Sequence, residues 1–440
     1  MHFIVLFIFC FILNSLFGFI EPLYSDEINY PTTIKVASSP HPLGSGARAI
    51  AMGCAYISIA DDATAASWNP GGLIRVKDRE FSIVWNYIHR KETNHVYDFP
   101  ESSNVYRLSE EYLNYMSLTY PFMLWKRNMV ISLNYQHLYD FSRSWNFPLN
   151  ISGYTNMGYV DLHSNVIYSQ DGGLSAIGLA YCIQFIKSFS MGITLNIWDH
   201  HMSQNKWEES YDVNSTIFLN GIHFTQDHYH AIHRYTFEGY NVNAGILWMP
   251  DDYFTLGIVF KSPFKAKIQH EVQTNDFIAN TDETLQMPMS FGFGLSYRFS
   301  DHFTLAADFY RTEWQHFVFE DSDGSKTSPI TGEKIDNAEI NPTHQSRIGA
   351  EYLISNKHSA WTFPLKAGLF YDPSPARGNS DDFYGISLGS GISGEGFEFD
   401  FAYQFRKGNS VSHSLVQGFD HFSQDVREHN FFFSFVFHLD

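Results

Sequence analysis

In residues 397–406, Phe397, Phe399, Phe401, Tyr403 and Phe405 alternate with Glu398, Asp400, Ala402, Gln404 and Arg406. Successive side chains of a strand point to opposite faces, so one face here is aromatic and the other polar and charged. The end of the chain repeats the pattern, with Phe431, Phe433, Phe435, Phe437 and Leu439 on one face. Met129, Ile131, Leu133 and Tyr135 do the same within 129–136. Such strands need an apolar partner on one side and water on the other. The composition agrees: 17% of residues are aromatic, yet the mean hydropathy is −0.22. After residue 20 no stretch of 18 apolar residues occurs, so no helix is available to cross a membrane.

A soluble β-sandwich also alternates, so the connections decide. Strands are expected near 80–90, 112–122, 128–140, 173–185, 189–201, 233–249 and 253–264. Seven more follow near 286–299, 303–318, 342–354, 362–372, 382–393, 397–408 and 428–439. Short links at 123–127, 186–188, 250–252, 300–302, 355–361 and 394–396 alternate with long ones, of which 141–172 and 202–232 are the longest. Short turns on one side and long loops on the other mark a transmembrane antiparallel β-barrel of the outer membrane. The expected fold is therefore all-β, with about 14 strands. An extra hairpin is expected within the loop at 155–169. Closure leaves no unpaired edge, which lipid would not tolerate.

A barrel this wide has a lumen that its own side chains do not fill. The stretch "ARAIAMGCAYISIADDATAASWNPGGL", residues 47–73, suits a plug. Its small residues pack closely, and Asn69, Pro70, Gly71 and Gly72 break regular structure. The chain thus divides into a signal peptide over 1–25, a periplasmic extension over 26–43, a hatch over 44–78 and the barrel over 79–440. The signal rests on the apolar core FIVLFIFCFIL, with cleavage after Gly18 or Ser25 and a retained anchor as the rival. The formal charge of −19 excludes a nucleic-acid partner. Cys54 and Cys182 have no metal or redox spacing.

"GSGARAIAMGCAYISIADDATAASWNPGGL" resembles the N-terminal hatch of the long-chain fatty acid outer-membrane transporters, the FadL family. The likeness continues in "NVNAGILWMPDDYFTLGIVFKSPFKAKI", "MPMSFGFGLSYRFSDHFTLAADFYRTEWQHF" and "PLKAGLFYDPSP". Gly71 stands where that family has Ala, and Cys54 where it commonly has Gly. The resemblance implies capture of a hydrophobic ligand, such as a long-chain fatty acid, outside the cell. It implies transfer into a barrel pocket, then release by a change in the hatch. It also implies the outer-membrane bilayer and the barrel-assembly machinery as partners, and no cofactor. Relatives that serve secretion or surface attachment give the alternative, a barrel that binds proteins rather than lipid. An open aqueous porin is the third reading.

Among charged residues, Asp61 and Asp62 read as a gating pair or as caps of turns in the plug. Glu398, Asp400 and Arg406 are expected to line the lumen, anchoring the hatch or solvating the wall. His200, His201, His223, His228, His230 and His233 cluster in sequence but lack a fixed framework of other ligands, so no metal site is assigned. No local nucleophile motif occurs, so no catalytic residue is assigned and an enzyme is not expected. Because Ala is the residue the resembled family carries at this position, Gly71→Ala is expected to be tolerated.

Overall fold

The computed structural model describes residues 45–439 except 156–157, 276, 356–359 and 417–420. The expected signal peptide and periplasmic extension lie outside the described residues. The chain forms β1 (Arg79–Val96), β2 (Asn104–Leu124), β3 (Arg127–Asp140), β4 (Arg143–Thr155), β5 (Gly158–Ile186) and β6 (Phe189–Trp198). Next come β7 (Asn205–Leu219), β8 (Ile222–Trp248), β9 (Phe254–Lys261), β10 (Phe264–Thr274), β11 (Ile278–Met287), β12 (Ser290–Arg298) and β13 (Phe303–Thr312). The short β14 (Val318–Glu320) and β15 (Lys326–Thr327) precede β16 (Thr343–Ser355) and β17 (Thr362–Tyr371). The last are β18 (Phe383–Ser393), β19 (Phe397–Val411) and β20 (Phe422–Leu439).

Fourteen of these close a ring. Antiparallel pairing runs β1-β2-β3-β5-β6-β8-β9-β12-β13-β16-β17-β18-β19-β20. The pairing of β1 with β20, from Arg79↔Leu439 to Val96↔Phe422, completes it. The 14-stranded antiparallel barrel expected from alternation is the fold.

Alternation decides which face is which. In β3, Ile131 and Leu133 are 43% and 53% exposed, while Ser132, Asn134 and Gln136 are buried inside. Trp125, Trp248, Tyr253, Tyr297 and Trp361 are exposed near the short turns. They form the aromatic girdle that marks a membrane–water boundary. The β2–β3 turn is two residues, Trp125 and Lys126, both in the left-handed region that tight hairpins require.

The long links are more ordered than the sequence suggests. β4 pairs with the first half of β5, β7 joins β5 to β8, and β10 and β11 pair above the ring. These hairpins raise one wall of the barrel beyond the apolar band. In stretches such as Asp161–His163 and Asn150–Ser152 a single apolar residue, Leu162 or Ile151, stands between polar ones, so the hydrophobic alternation that marks them is weak.

Candidate functional site

The lower lumen holds residues 45–76. They form helix α1 (Ala47–Ala51), helix α2 (Ala65–Trp68) and a 3-10 turn, Pro70–Arg75. Helix α1 packs on β17, β18, β19 and β20, while the 3-10 turn packs on β3, β5, β6 and β8. Strands on opposite sides of a closed ring can be touched together only from inside it. Met52, Ala55, Tyr56, Ala60 and Trp68 are wholly buried.

The wall receives this segment through glycines. A Cβ on Gly192 of β6 would lie 2.2 Å from the Pro70 carbonyl oxygen, and one on Gly257 of β9 2.6 Å from that of Ile57. On Gly349 of β16 it would lie 2.3 Å from the Met52 oxygen, and on Gly368 of β17 2.2 Å from the Gly53 nitrogen. Real Cβ atoms do not approach so closely, so backbone meets backbone along this belt. Gly192 pairs with Gly245 and Gly349 with Gly368 in register, which puts the contacts side by side.

Asn69 organises the bend. Its Oδ1 accepts from the Gly71 N–H at 3.0 Å, and its Nδ2 donates to the carbonyls of Ile57 at 2.8 Å and Ile246 at 3.0 Å. Pro70 opens the 3-10 turn, where its missing donor is not needed. The Gly71 carbonyl accepts from Ser190 Oγ at 2.7 Å and Cys182 Sγ at 3.4 Å. A Cβ on Gly71 would lie 2.9 Å from the Gly245 oxygen, and one on Gly72 2.2 Å from the Ala60 oxygen. The expected tolerance of Gly71→Ala thus carries a condition at the first of these contacts. The methyl group meets the wall backbone, which must give way slightly.

The two aspartates part company. Asp62 Oδ1 accepts from the Thr64 N–H at 2.8 Å and hydroxyl at 2.5 Å, and its Oδ2 from Tyr56 Oη at 2.9 Å. Asp61 pairs with Arg48, which also forks onto Glu351 of β16. Burial pushes the Asp62 carboxyl up. Burial also acts upward on Asp61, but the Arg48 guanidinium overrides it and holds that carboxyl below its usual range. Lys366 of β17 continues the chain, 3.9 Å from Glu351 and paired with Asp400. Asp61 and Asp400 are therefore joined through Arg48, Glu351 and Lys366, none of which the sequence reading named. Glu351 and Lys366 each face inward on an alternating strand, a signal that was available.

Arg406 lies elsewhere in the lumen. Its Nη1 is 3.2 Å from Glu428 and its Nε 3.5 Å from Asp372. Glu398 accepts from Ser393 Oγ at 3.1 Å and is only part-buried.

The six histidines do not converge. His223 and His228 are exposed, and His228 Nε2 lies 3.1 Å from Asp212. His230 Nδ1 is 3.6 Å from the same carboxylate. His233 points into the lumen, where its Nδ1 lies 3.0 Å from His270 Nε2. His270 Nδ1 is 3.0 Å from Glu283. His200 and His201 sit in the turn after β6.

Above the segment the lumen turns aromatic. Phe141, Trp198, Trp207, Tyr235, Phe237 and Trp314 belong to one buried cluster. Trp207 stacks on Tyr235 at 4.6 Å between ring centres, and Trp198 on Phe264 at 5.8 Å. Beneath them is a cavity of about 50 Å³ lined by Leu138, Tyr139, Trp198, Phe264, Met287 and Trp314 on its apolar side. Asn196, Asn241, Asn243, Ser290, Thr312 and Lys261 are among its polar lining.

Two cations here differ from the rest. Lys261 is 91% buried and has no hydrogen-bond or ion partner among the described residues. Arg347 is 95% buried; it donates through Nη2 to Gln345 at 3.0 Å, and its Nη1 has no hydrogen-bond partner among the described residues. The two lie close enough to repel each other. Neither was singled out from sequence, although Lys261 sits in the quoted "VFKSPF" on the inward face of β9.

Solved structures share this architecture. A FadL homologue from Pseudomonas aeruginosa superposes with a TM-score of 0.60 at 16% identity, over 90% of this chain and 98% of that one. The toluene transporter TodX of Pseudomonas putida gives 0.52 at 15%, over 90% and 98%. The toluene transporter TbuX of Ralstonia pickettii gives 0.50 at 13%, over 91% and 99%. No curated protein matches in sequence. Residues 43–384 match the family described as outer membrane protein transport protein (OMPP1/FadL/TodX). That match spans most of the barrel as well as the segment inside it, so the chain belongs to this family of outer-membrane transporters of hydrophobic compounds and not to an enzyme class.

Proposed function

We propose that this barrel takes up hydrophobic molecules that carry an anionic head, long-chain fatty acids foremost. The observation that supports this is Lys261, a buried cation with no ion partner among the described residues, at the foot of an aromatic funnel; the second buried cation, Arg347, stands opposite Asp308 across the β13–β16 ladder. Desolvating a charge costs several kcal/mol per ion, so an uncompensated lysine at membrane depth marks a place where a counter-charge is meant to bind. Elsewhere in the lumen the cations are matched: Arg90 has Glu428 and Asp140, Arg406 has Glu428 and Asp372, Lys366 has Asp400, and Arg48 has Asp61 and Glu351.

The alkyl part of such a ligand would lie along Trp198, Phe264 and Trp314. A cavity of about 50 Å³ holds a water or two. The rings must therefore part to admit a chain. Residues 45–76 then act as the hatch, with the Asn69–Gly72 bend as the part that moves. A greasy solute handed between apolar surfaces avoids the cost of a watery pore.

The second reading is a neutral aromatic hydrocarbon, the cargo named for TodX and TbuX. The stacked rings of the upper lumen favour it, but it gives Lys261 no counter-charge. Uptake into proteoliposomes separates the two. Lys261→Met should cut labelled oleate uptake at least about tenfold, as loss of one charge-assisted bond predicts. It should leave labelled toluene uptake unchanged. Oleate uptake unaffected by Lys261→Met would overturn the anionic-head reading.

A further inference from the structure

The turn after β6 and the middle of β8 bring three metal-ligating side chains together on the outer surface of the barrel. His200 Nδ1 lies 2.7 Å from Glu238 Oε1, and the His200 and His201 rings are 3.8 Å apart. One ligand atom from each of His200, His201 and Glu238 falls within 4.8 Å of the other two. We propose that these residues form a binding site for a borderline divalent transition ion, zinc or copper.

The scaffold holds the ligands ready. Asp199 shapes the turn: its Oδ1 accepts from the His201 N–H at 2.6 Å, and its carbonyl from the N–H groups of Met202 at 3.2 Å and Ser203 at 3.0 Å. Asn205 Nδ2 ties the turn to the Ser175 carbonyl of β5 at 2.7 Å, and Ser203 Oγ reaches the same oxygen at 2.9 Å. Glu238 is fixed by β8 itself, because its neighbour Gly239 pairs in register with Trp198, the last residue of β6. The two histidines therefore follow one strand of the wall and the glutamate lies on its neighbour.

The surroundings leave the carboxylate to the histidines. Lys267 stands opposite Glu238 in the ladder, but its Nζ lies 3.5 Å from Asp282. His200 Nδ1 has no well-directed hydrogen bond among the described residues despite its closeness to Glu238. A ring nitrogen held this close to a carboxylate without a well-directed hydrogen bond is the arrangement of two ligands that share an ion. Ligand atoms bound at about 2.1 Å can lie at most about 4.2 Å apart. His201 is exposed and has room to turn the remaining distance. Two imidazoles and one carboxylate suit zinc or copper rather than calcium or magnesium, which prefer oxygen alone.

The position gives the ion a consequence. Tyr240, two residues along the same face of β8, is 67% exposed on the outer surface, which places the site at the extracellular rim of the apolar band. Trp198, immediately before the turn, packs against Phe237 and Phe264 inside. An ion joining the turn to β8 would stiffen the wall at the mouth of the aromatic funnel.

The test is zinc titration of the untagged, full chain in detergent, read by calorimetry and repeated with cobalt, whose absorption reports coordination. One site per barrel is expected. His201→Ala and Glu238→Gln should each weaken it by at least about tenfold, since even outer-shell changes cost that much at metal sites. His228→Ala combined with His230→Ala should leave that affinity unchanged. Heat-modifiable gel mobility confirms that each variant is folded. Wild-type binding weaker than about 1 mM, the floor for weak biological metal sites, would overturn the proposal. So would an affinity indifferent to both His201→Ala and Glu238→Gln.

Discussion

Arg90 and Glu428 face each other across the pairing of the first and last strands, with Nε and Oε1 3.0 Å apart. Arg406 stands directly opposite Glu428 on the other side, its Nη1 3.2 Å from the second carboxylate oxygen. One glutamate thus bridges two guanidiniums at the seam that closes the barrel, with Asp140 3.8 Å from Arg90 and Asp372 3.5 Å from Arg406 balancing the charge. All three side chains are at least 93% buried, so water does not screen them.

Glu428→Gln should therefore destabilise the barrel markedly. Removing one partner of a buried ionic group costs about 3–5 kcal/mol, because the remaining charges keep their desolvation penalty. Urea unfolding in lipid vesicles reads this out. Adding Arg406→Gln should recover part of the loss, since it removes one stranded charge. A Glu428→Gln midpoint equal to that of the wild type would mean that water or rearrangement solvates the seam.

Arg48 is the charged hinge between the inner segment and the wall. Its Nε and Nη2 lie 2.9 and 3.0 Å from the two oxygens of Glu351, a fork that lysine could not reproduce. Arg48→Met should loosen the segment by about 2 kcal/mol, between the values for exposed and buried pairs. The strands make their hydrogen bonds without it, so the barrel should stay folded. Single-channel recordings should then show brief openings absent from the wild type. A silent Arg48→Met channel would show that the glycine belt alone holds the segment.

The strands were legible because alternation and loop asymmetry are written locally. Ile131 and Leu133 announce their outward face whatever their neighbours are. The inner segment was legible as a block of small residues, but its seating was not. Gly349 and Gly368 are far from Met52 in sequence, and nothing around them says that they meet its backbone. The lumen charges divide the same way. Asp400 and Arg406 could be assigned to a face by counting in twos, whereas their partners Lys366, Asp372 and Glu428 come from other strands. Lys261 was hidden because its meaning lies in lacking a partner, which only three-dimensional packing reveals.

Gly71 and Gly72 should behave differently. A methyl group at Gly71 meets the Gly245 oxygen at 2.9 Å, a conflict that a small shift relieves. At Gly72 it meets the Ala60 oxygen at 2.2 Å, inside the segment's own fold. Gly71→Ala should keep most uptake, with a cost below about 1.5 kcal/mol. Gly72→Ala should exceed that, as over-packing of a close contact does. Limited proteolysis of the inner segment in detergent would rank them. Equal protection of the two variants would contradict the contact geometry.

Deleting residues 45–76 tests what the segment does for the lumen. The wall keeps its ladder of backbone hydrogen bonds, so a heat-modifiable, folded barrel should still be obtained. Its lower lumen, however, would lose the backbone that covers Gly192, Gly257, Gly349 and Gly368. Those glycines carry nothing of their own to fill the space, and their neighbours Asn134, Gln136, Asn196 and Asn243 are polar. An emptied polar lumen of this width fills with water and conducts ions. Planar bilayers should therefore show a steady conductance in the deletion variant and none in the wild type. The upper aromatic cluster alone would be too partial a seal to hide that change, because its members come from β3 through β14 and none from β16–β20, β1 or β2. A deletion variant as silent as the wild type would show that the upper lumen is the real barrier and that residues 45–76 are not a plug.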